Sequence, residues 1–220
     1  MALQIQLSSD FDPSAVCFSN LRKNKSGGKA VYLNGPDKHK IYIQIPYMRA
    51  PFGLSSYTDE TTKKTSYSLD LSFDGESDSQ ELEEKLKTLD DYIIETVADN
   101  SQEWLGKKYK ADMLRETLYT PLVRPGKDAY PSKIKLKIIT DMKTDEFIPE
   151  AYNSQRERVP LDSIEKGQKV MCIVDLNQIW IVGNKFGVSM RLQQCLLEPS
   201  KKLPAFAFQG VADEDIEIDE

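Results

Sequence analysis

Hydrophobic and polar residues alternate with a period of two in three short segments of the chain. These segments are KIYIQI at 40–45, SYSLDLSF at 66–73 and KIKLKI at 133–138. Because successive side chains of a strand point to opposite faces, the alternation predicts strands with one buried side and one solvent-facing side. The polar side of the third segment consists of lysines, so we expect a cationic stripe made of Lys133, Lys135 and Lys137.

The longest β pattern covers residues 168–197. Two apolar runs flank Leu176-Asn177-Gln178, and a third run follows the polar and glycine residues at 183–187. Such interruptions are typical of turns. We therefore predict a meander of three strands.

A helical pattern separates the predicted strands. Asp78 and Glu81 have the spacing of a capping box, and apolar residues then recur every three or four positions, as a buried helix face requires. These residues are Leu82, Leu86, Leu89, Ile93 and Val97. Asn100 with Glu103 predicts a second short helix, and a third is expected around Met113 to Leu118. The sequence therefore predicts one domain over residues 1–209 with a helical insert at about 78–118, a size that suits a single core.

The last eleven residues, 210–220, form an acidic tail, and we expect them to be disordered because like charges repel one another. The chain has 29 Lys and Arg against 35 Asp and Glu, a net charge of −6. Without the six acids of the tail, 29 acidic residues remain, which balances the cations. The tail acids are Asp213, Glu214, Asp215, Glu217, Asp219 and Glu220.

The charges of the balanced body are segregated into blocks. Residues 20–49 contain seven cations and one acid, and residues 107–143 contain ten cations and four acids. Residues 74–103 reverse this, with eleven acids and two lysines. Segregation favours a basic surface that meets a polyanion, although charge blocks also occur on faces that are only solvated.

The cysteines and the N-terminus indicate an intracellular protein. Cys17, Cys172 and Cys195 are odd in number and lie in apolar runs, so we expect reduced core residues. The start MALQIQLSSD lacks the features of a signal peptide, and nothing has the length of a membrane span. We therefore expect no membrane association.

Little in the sequence favours catalysis. His39 is the one histidine, so no histidine cluster can hold zinc and a Ser-His-Asp triad would depend on that one residue. We predict a protein that is not an enzyme and needs no cofactor or metal. Two alternatives from other classes stay open, a structural or scaffolding protein and a metal-dependent nuclease built on carboxylates.

A small β protein with basic strand faces and scattered aromatic rings suits single-stranded nucleic acid. Cations bind the phosphates, and each base stacked on a ring contributes roughly 1–3 kcal/mol. A five-stranded OB barrel, a Greek-key fold, offers a groove across one face for such a strand. The candidate rings are Tyr42, Tyr47, Tyr57, Trp180 and Phe186, each of which could instead be core. The candidate cations are Arg49, Lys133, Lys135, Lys137, Lys185 and Arg191.

Five motifs in order resemble the single-stranded DNA-binding proteins of large double-stranded DNA viruses of eukaryotes. They are IYIQIPYMRAPFGLSSY (41–57), SYSLDLSFDG (66–75), LYTPLVRPGKD (118–128), QIWIVGNKFGVSMRLQQ (178–194) and PAFAFQ (204–209). That group is distantly similar to the phage type, which has an OB fold and an acidic C-terminal tail. Met190 departs from the pattern, since an aromatic residue is expected there.

The resemblance implies a mainly β OB fold with inserted helices and sequence-independent binding of single-stranded DNA. It also implies work in viral DNA replication, recombination and repair, in the host nucleus or cytoplasm. We expect the tail to compete with DNA for the groove and to recruit replication proteins such as a polymerase or helicase. Because relatives of the phage type often form dimers, the resemblance also favours a homodimer.

Overall fold

A computed structural model describes residues 4–23 and 27–199 of the chain. The motif at 204–209 and the acidic tail lie outside the described residues. The fold is mainly β, as predicted, with 39% of the described residues in strands and 21% in helices.

The strands are β1 (Ile5–Leu7), β2 (Cys17–Phe18), β3 (Arg22–Lys23), β4 (Lys29–Asn34), β5 (Ile41–Gln44), β6 (Met48–Arg49), β7 (Leu54–Thr58), β8 (Thr65–Ser72), β9 (Tyr119–Thr120), β10 (Lys133–Ile138), β11 (Glu150–Tyr152), β12 (Arg158–Val159), β13 (Lys169–Val182) and β14 (Lys185–Leu197). The helices are α1 (Ser77–Asp99), α2 (Ser101–Trp104) and α3 (Ala111–Met113), with a π-helical segment at Leu114–Leu118 and 3-10 turns at Pro13–Ala15 and Leu161–Ser163.

The main strands pair in a ring. β4, β5 and β6 run one after another, antiparallel, along β13. β13 pairs with β14 in a long antiparallel hairpin, and β14 pairs in parallel with β10. β10 is antiparallel to β8, and β8 returns to β6 through Arg49 and Ser72. The mixed sheet therefore closes on itself around a core.

The period-two alternation identified the buried faces of these strands. The inward residues of β5, β8 and β10 are all at most 4% exposed: Ile41, Ile43, Leu69, Leu71, Ile134, Leu136 and Ile138. The alternating residues on β5 and β10 are half-buried or exposed, whereas on β8 Asp70 and Ser72 are buried too. The burial of these apolar residues supplies the main stabilisation of the ring.

The predicted three-strand meander is wrong, because β13 continues through Leu176-Asn177-Gln178 without a turn. The register of β13 against β14 shifts between Ile173 and Val174 and again between Leu176 and Gln178. Such β-bulges add a residue to one strand while its pairing continues. Asn177, which resembles a turn residue in the sequence, is 4% exposed inside the sheet.

Helical elements follow β8 between Ser77 and Leu118. The main helix, α1, buries the predicted apolar stripe, whose five members are at most 1% exposed. The predicted capping box is wrong, because the N-cap is Glu76, two residues before Asp78, and Glu76 makes no side-chain capping hydrogen bond. A short helix follows Asn100, and helical turns cover Ala111–Leu118, as expected.

The cysteine prediction holds for two of the three residues. Cys172 and Cys195 are buried register partners in β13 and β14, whereas Cys17 is exposed on β2. Burial raises the pKa of the Cys195 thiol to about 12 and that of Cys172 well above its ordinary value. Neither buried thiol therefore ionises near neutral pH.

No helix in residues 4–23 and 27–199 is both long and apolar enough to cross a membrane. No group of three or more His, Cys, Asp or Glu side chains in the same ranges could hold a metal ion.

Candidate nucleic-acid interface

A groove of about 420 Å³ crosses the outer face of the ring, over β8, β10, β14 and β13. We call it the outer groove. No carboxylate lies among the described residues that form it. Four cations and three aromatic side chains do: Arg124, Lys135, Lys137, Arg191, Tyr57, Tyr67 and Trp180.

The cations reach the outer groove from three parts of the chain. Lys135 and Lys137 are exposed on the outward side of β10, opposite its buried apolar residues. Arg191 on β14 is the register partner of Lys137. Within the described part of the chain none of these three side chains forms a salt bridge. Lys135 and Lys137 are therefore available to an external anion, whereas the charge of Arg191 also acts on the buried Asp175.

Arg124 is a groove residue absent from the site predicted from the sequence. Its backbone exchanges two hydrogen bonds with Lys133, of 2.8 and 2.9 Å, at the start of β10. This bridge brings the end of the helical insert beside the lysine stripe. From the sequence alone, Arg124 is recognisable only as a member of the basic block at 107–143, because nothing in the loop between Arg124 and Lys133 indicates that these two residues pair.

Lys133 differs from the other two lysines of the stripe. Its Nζ lies 2.7 Å from Oδ2 of Asp70 on β8 and 5.1 Å from the ring centroid of Phe52. Asp70 is 8% exposed, so the ion pair is partly withdrawn from solvent. The charge of Lys133 is thus already compensated within the chain.

The indole of Trp180 lies against bare backbone. Gly187 is its register partner on β14, and a Cβ built on Gly187 would stand 2.8 Å from Cζ2 of the indole and 2.8 Å from the Thr120 carbonyl oxygen. Both distances are shorter than side-chain contacts allow, so only glycine permits this close approach. Trp180 is half-buried and faces the outer groove.

Tyr57 offers a second ring to the outer groove. It lies on β7, at the hairpin with β8, and is 66% exposed. Tyr67, across the hairpin, packs edge-on against Phe147 with ring centroids 4.9 Å apart. Tyr57 is therefore the more accessible of the two tyrosine faces.

The structure moves several predicted residues away from this site. Phe186 is fully buried, 5.1 Å from the Tyr119 ring, because the tight turn at 183–184 pairs it with inward-facing Ile181. Lys185 is exposed at that turn, outside the outer groove, whereas Met190, which is 2% exposed, belongs to the core and also lines the groove. Phe186 consequently has no free face for a base.

Three more predicted residues lie elsewhere on the ring. Tyr47 is half-buried between β5 and β6. The exposed Arg49 packs its guanidinium against Gly167, whose added Cβ would come within 3.2 Å of it. Tyr42 is on the outward side of β5 but belongs to a separate concavity formed by residues 34–42. The predicted residues that the outer groove unites are Tyr57, Lys135, Lys137, Trp180 and Arg191.

A buried carboxylate anchors the wall that carries Arg124. Asp90 on α1 accepts hydrogen bonds from the Tyr119 hydroxyl, from Leu122 N at 3.1 Å and from Val123 N at 3.4 Å. Burial raises the pKa of Asp90 to about 6, although these hydrogen bonds oppose the rise. The helical insert therefore fixes the backbone immediately before Arg124.

A second buried carboxylate lies beneath the outer groove. Asp175 on β13 is 2% exposed and is the register partner of Arg191. Burial raises its pKa, while Lys40, the Asn177 amide and Arg191 act in the opposite direction. The carboxylate is thus covered, and cations surround it.

The family model of DUF5871, a family of unknown function, matches residues 63–210. The chain belongs to this family. The DUF5871 match contains the four groove cations and Trp180, whereas Tyr57 and the concavity at 34–42 precede it.

A curated relative of this DUF5871 chain is the uncharacterized protein L291 of Acanthamoeba polyphaga mimivirus. The two are 27% identical over 166 residues, which is 71% of this chain. The chain spans 26% of that relative's length. A mimivirus relative fits the expectation of a viral protein.

Solved structures of the single-stranded DNA-binding protein from bacteriophage Enc34 are also similar. The complex with single-stranded DNA has a TM-score of 0.39 at 13% identity and covers 83% of this chain and 92% of the phage chain. The protein alone has a TM-score of 0.39 at 14% identity, with 91% and 97% covered. A C-terminal truncation has a TM-score of 0.41 at 15% identity, with 85% and 96% covered.

Proposed function

We propose that this DUF5871 protein binds single-stranded DNA in the outer groove, without sequence specificity and without chemistry. One observation carries the proposal: among the described residues, four cations without salt bridges and an indole that lies against Gly187 share a groove that no carboxylate lines. A cationic groove alone would suit any polyanion. The accessible rings favour a strand whose base faces are free.

In this proposal the two kinds of side chain divide the work. Lys135, Lys137 and Arg191 neutralise successive phosphates, and Arg124 adds a contact from the wall. Trp180 and Tyr57 stack on bases, each contact contributing roughly 1–3 kcal/mol whatever the base. Since a duplex hides its base faces, stacking on these rings distinguishes single from double strands.

We further propose that the ring of strands is an OB barrel. Its five members would be residues 29–49, β8, β10, β13 and β14. Three observations support this. The interrupted first strand pairs along β13. In addition, β10 is parallel to β14, and the pairing of β6 with β8 closes the ring. Five-stranded OB barrels bind oligonucleotides across one face, where the outer groove lies here.

The acidic tail would regulate the same site. Because the body of the chain balances to zero, residues 213–220 hold the whole net charge. Tethering gives this polyanion a high effective concentration near the outer groove, so it would compete with DNA. Displaced by DNA, the tail would recruit a replication partner such as a polymerase or helicase; this role and the expected homodimer stay predictions.

The decisive test is a titration of the protein with a dT oligomer while tryptophan fluorescence is recorded. We expect quenching that survives Trp104→Phe, since Trp104 is 5% exposed, and disappears in Trp180→Phe. A duplex of the same length should compete weakly. Absence of quenching together with absence of oligomer retention in a filter assay would refute the proposal.

A gel of the labelled oligomer in magnesium or manganese separates binding from cleavage. An intact oligomer is expected. A shortened one would favour the metal-dependent nuclease, and a structural protein would leave both fluorescence and oligomer unchanged.

A further inference from the structure

A second concavity, of about 1070 Å³, lies on the outward side of β5. It is formed by the loop between β4 and β5 together with Gln6 and Tyr42. We call residues 35–40 the strand-interrupting loop, because β4 and β5 both pair with β13 and the loop leaves the sheet between them. It is therefore an excursion from one edge of the ring.

The strand-interrupting loop is closed and presents cations. Gly35 N donates to the His39 carbonyl at 2.8 Å, and Lys38 N donates to the Gly35 carbonyl at 2.9 Å. Lys38 has a φ of 64°, a left-handed conformation that few non-glycine residues adopt. The loop thus has a defined shape although its side chains are exposed.

Lys38 and Lys40 carry the charge of this loop. Both are exposed, and neither forms a salt bridge within residues 4–23 and 27–199. The one acid of the loop, Asp37, is turned back on the backbone and accepts a hydrogen bond from His39 N at 3.0 Å. The concavity therefore offers two exposed lysines together with Tyr42, and the charge of Lys40 also acts on the buried Asp175.

The register of the sheet connects this concavity with the outer groove. Lys137 pairs with Arg191, Arg191 with Asp175, and Asp175 with Tyr42, so the four lie in one row on the outward face. Three inter-strand steps amount to about 14 Å. Asp175 is covered in the middle of the row, and the charges of Arg191 and Lys40 act on it from the two sides.

We propose that the strand-interrupting loop and Tyr42 form a second subsite for single-stranded DNA, in which Lys38 and Lys40 bind phosphates and Tyr42 stacks on a base. The subsite lengthens the track across β13 and lies outside the DUF5871 match. It rests on the proposed function, because the strand would reach it from the outer groove.

The test compares Lys38→Gln/Lys40→Gln with the unaltered chain on two dT oligomers. One has about 5 nucleotides, to fill only the outer groove, and the other about 16, the upper size that one OB fold occupies. We expect the variant to bind the long oligomer about 3- to 10-fold more weakly, as two exposed charge contacts would give, and the short oligomer equally well. The slope of log affinity against log salt should become shallower by about 1.4 for the long oligomer.

The matched control is Lys107→Gln/Lys108→Gln, an equal change of charge on residues that line neither concavity. It should bind both oligomers as the unaltered chain does, while Tyr42→Leu should weaken the long oligomer alone. Equal loss on both lengths, or no loss on the long one, overturns the second subsite and leaves the outer groove intact. Failure of the unaltered chain to bind either oligomer overturns both proposals.

Discussion

The salt dependence of binding gives the sharpest measure of the outer groove. Each phosphate neutralised on a single strand contributes about −0.7 to the slope of log affinity against log salt. Four groove cations have no salt bridge in the described structure, so they predict a slope of about −2.8 for a short oligomer. Lys133 is left out of this count because Asp70 already compensates its charge.

Replacing Lys135 and Lys137 together by alanine should halve that slope, to about −1.4. Between about 50 and 200 mM salt, the affinity of the unaltered chain should then fall about 50-fold and that of the variant about 7-fold. Both side chains are exposed and unpaired, so the fold should keep its stability. Fluorescence anisotropy of a labelled oligomer of about 5 nucleotides, repeated at several salt concentrations, measures both slopes.

The control for this experiment is Lys107→Ala/Lys108→Ala, which removes the same charge outside the groove. Its slope should equal that of the unaltered chain. A slope of the Lys135/Lys137 variant that stays near −2.8, or a control that falls as far, would refute the assignment of these lysines to phosphate contacts.

Three further predictions concern stacking, pH and the tail. Gly187→Ala should displace the Trp180 indole. Oligomer affinity should then fall about 5- to 100-fold with an unchanged salt slope, and the free energy of unfolding should fall by about 1–3 kcal/mol. Titration and urea unfolding measure the two effects, and a changed slope with an undisturbed indole would contradict the reasoning. The pKa of Asp90 is about 6 in the fold against 3.8 ordinarily, so its contribution to stability is fully present below pH 3.8 and is lost as the pH rises through 6. The free energy of unfolding, measured with urea, should therefore decrease by about 3 kcal/mol more in the unaltered chain than in Asp90→Asn as the pH rises across that range. A difference between the two proteins that stays constant with pH would exclude the raised pKa of Asp90. Deleting residues 211–220 should tighten oligomer binding at low salt, with the gain shrinking as salt rises; equal affinity at low salt would remove the tail from the groove.

The core and the lysine stripe could be predicted from the sequence because they depend on local alternation alone. Ile134, Leu136 and the two exposed lysines of β10 lie on the sides that their spacing assigns. The same holds for the apolar stripe of α1. Periodicity reports which side of an element is buried, and no distant partner is needed to decide it.

The mistaken predictions involve residues whose environment is set by pairing. Asn177 has turn chemistry, yet a β-bulge keeps it inside β13. Phe186 stands beside a turn and a lysine, yet the register of the hairpin sets it opposite Ile181. Arg124 enters the site through a backbone bridge to Lys133 across a loop. Register and bridging are long-range properties, so single-residue chemistry does not reveal them.

The parallel pairing of β10 with β14 has a consequence for the order in which the molecule matures. The strand that supplies Gly187 and Arg191 is the last one of the described chain to leave the ribosome, and it joins β10 across some 50 intervening residues. Such distant pairing forms late in folding. A nascent or prematurely terminated chain that ends before residue 185 would display Lys135 and Lys137. It would lack Arg191 and the Gly187 backbone against which the Trp180 ring packs, so it could attract a polyanion without holding it.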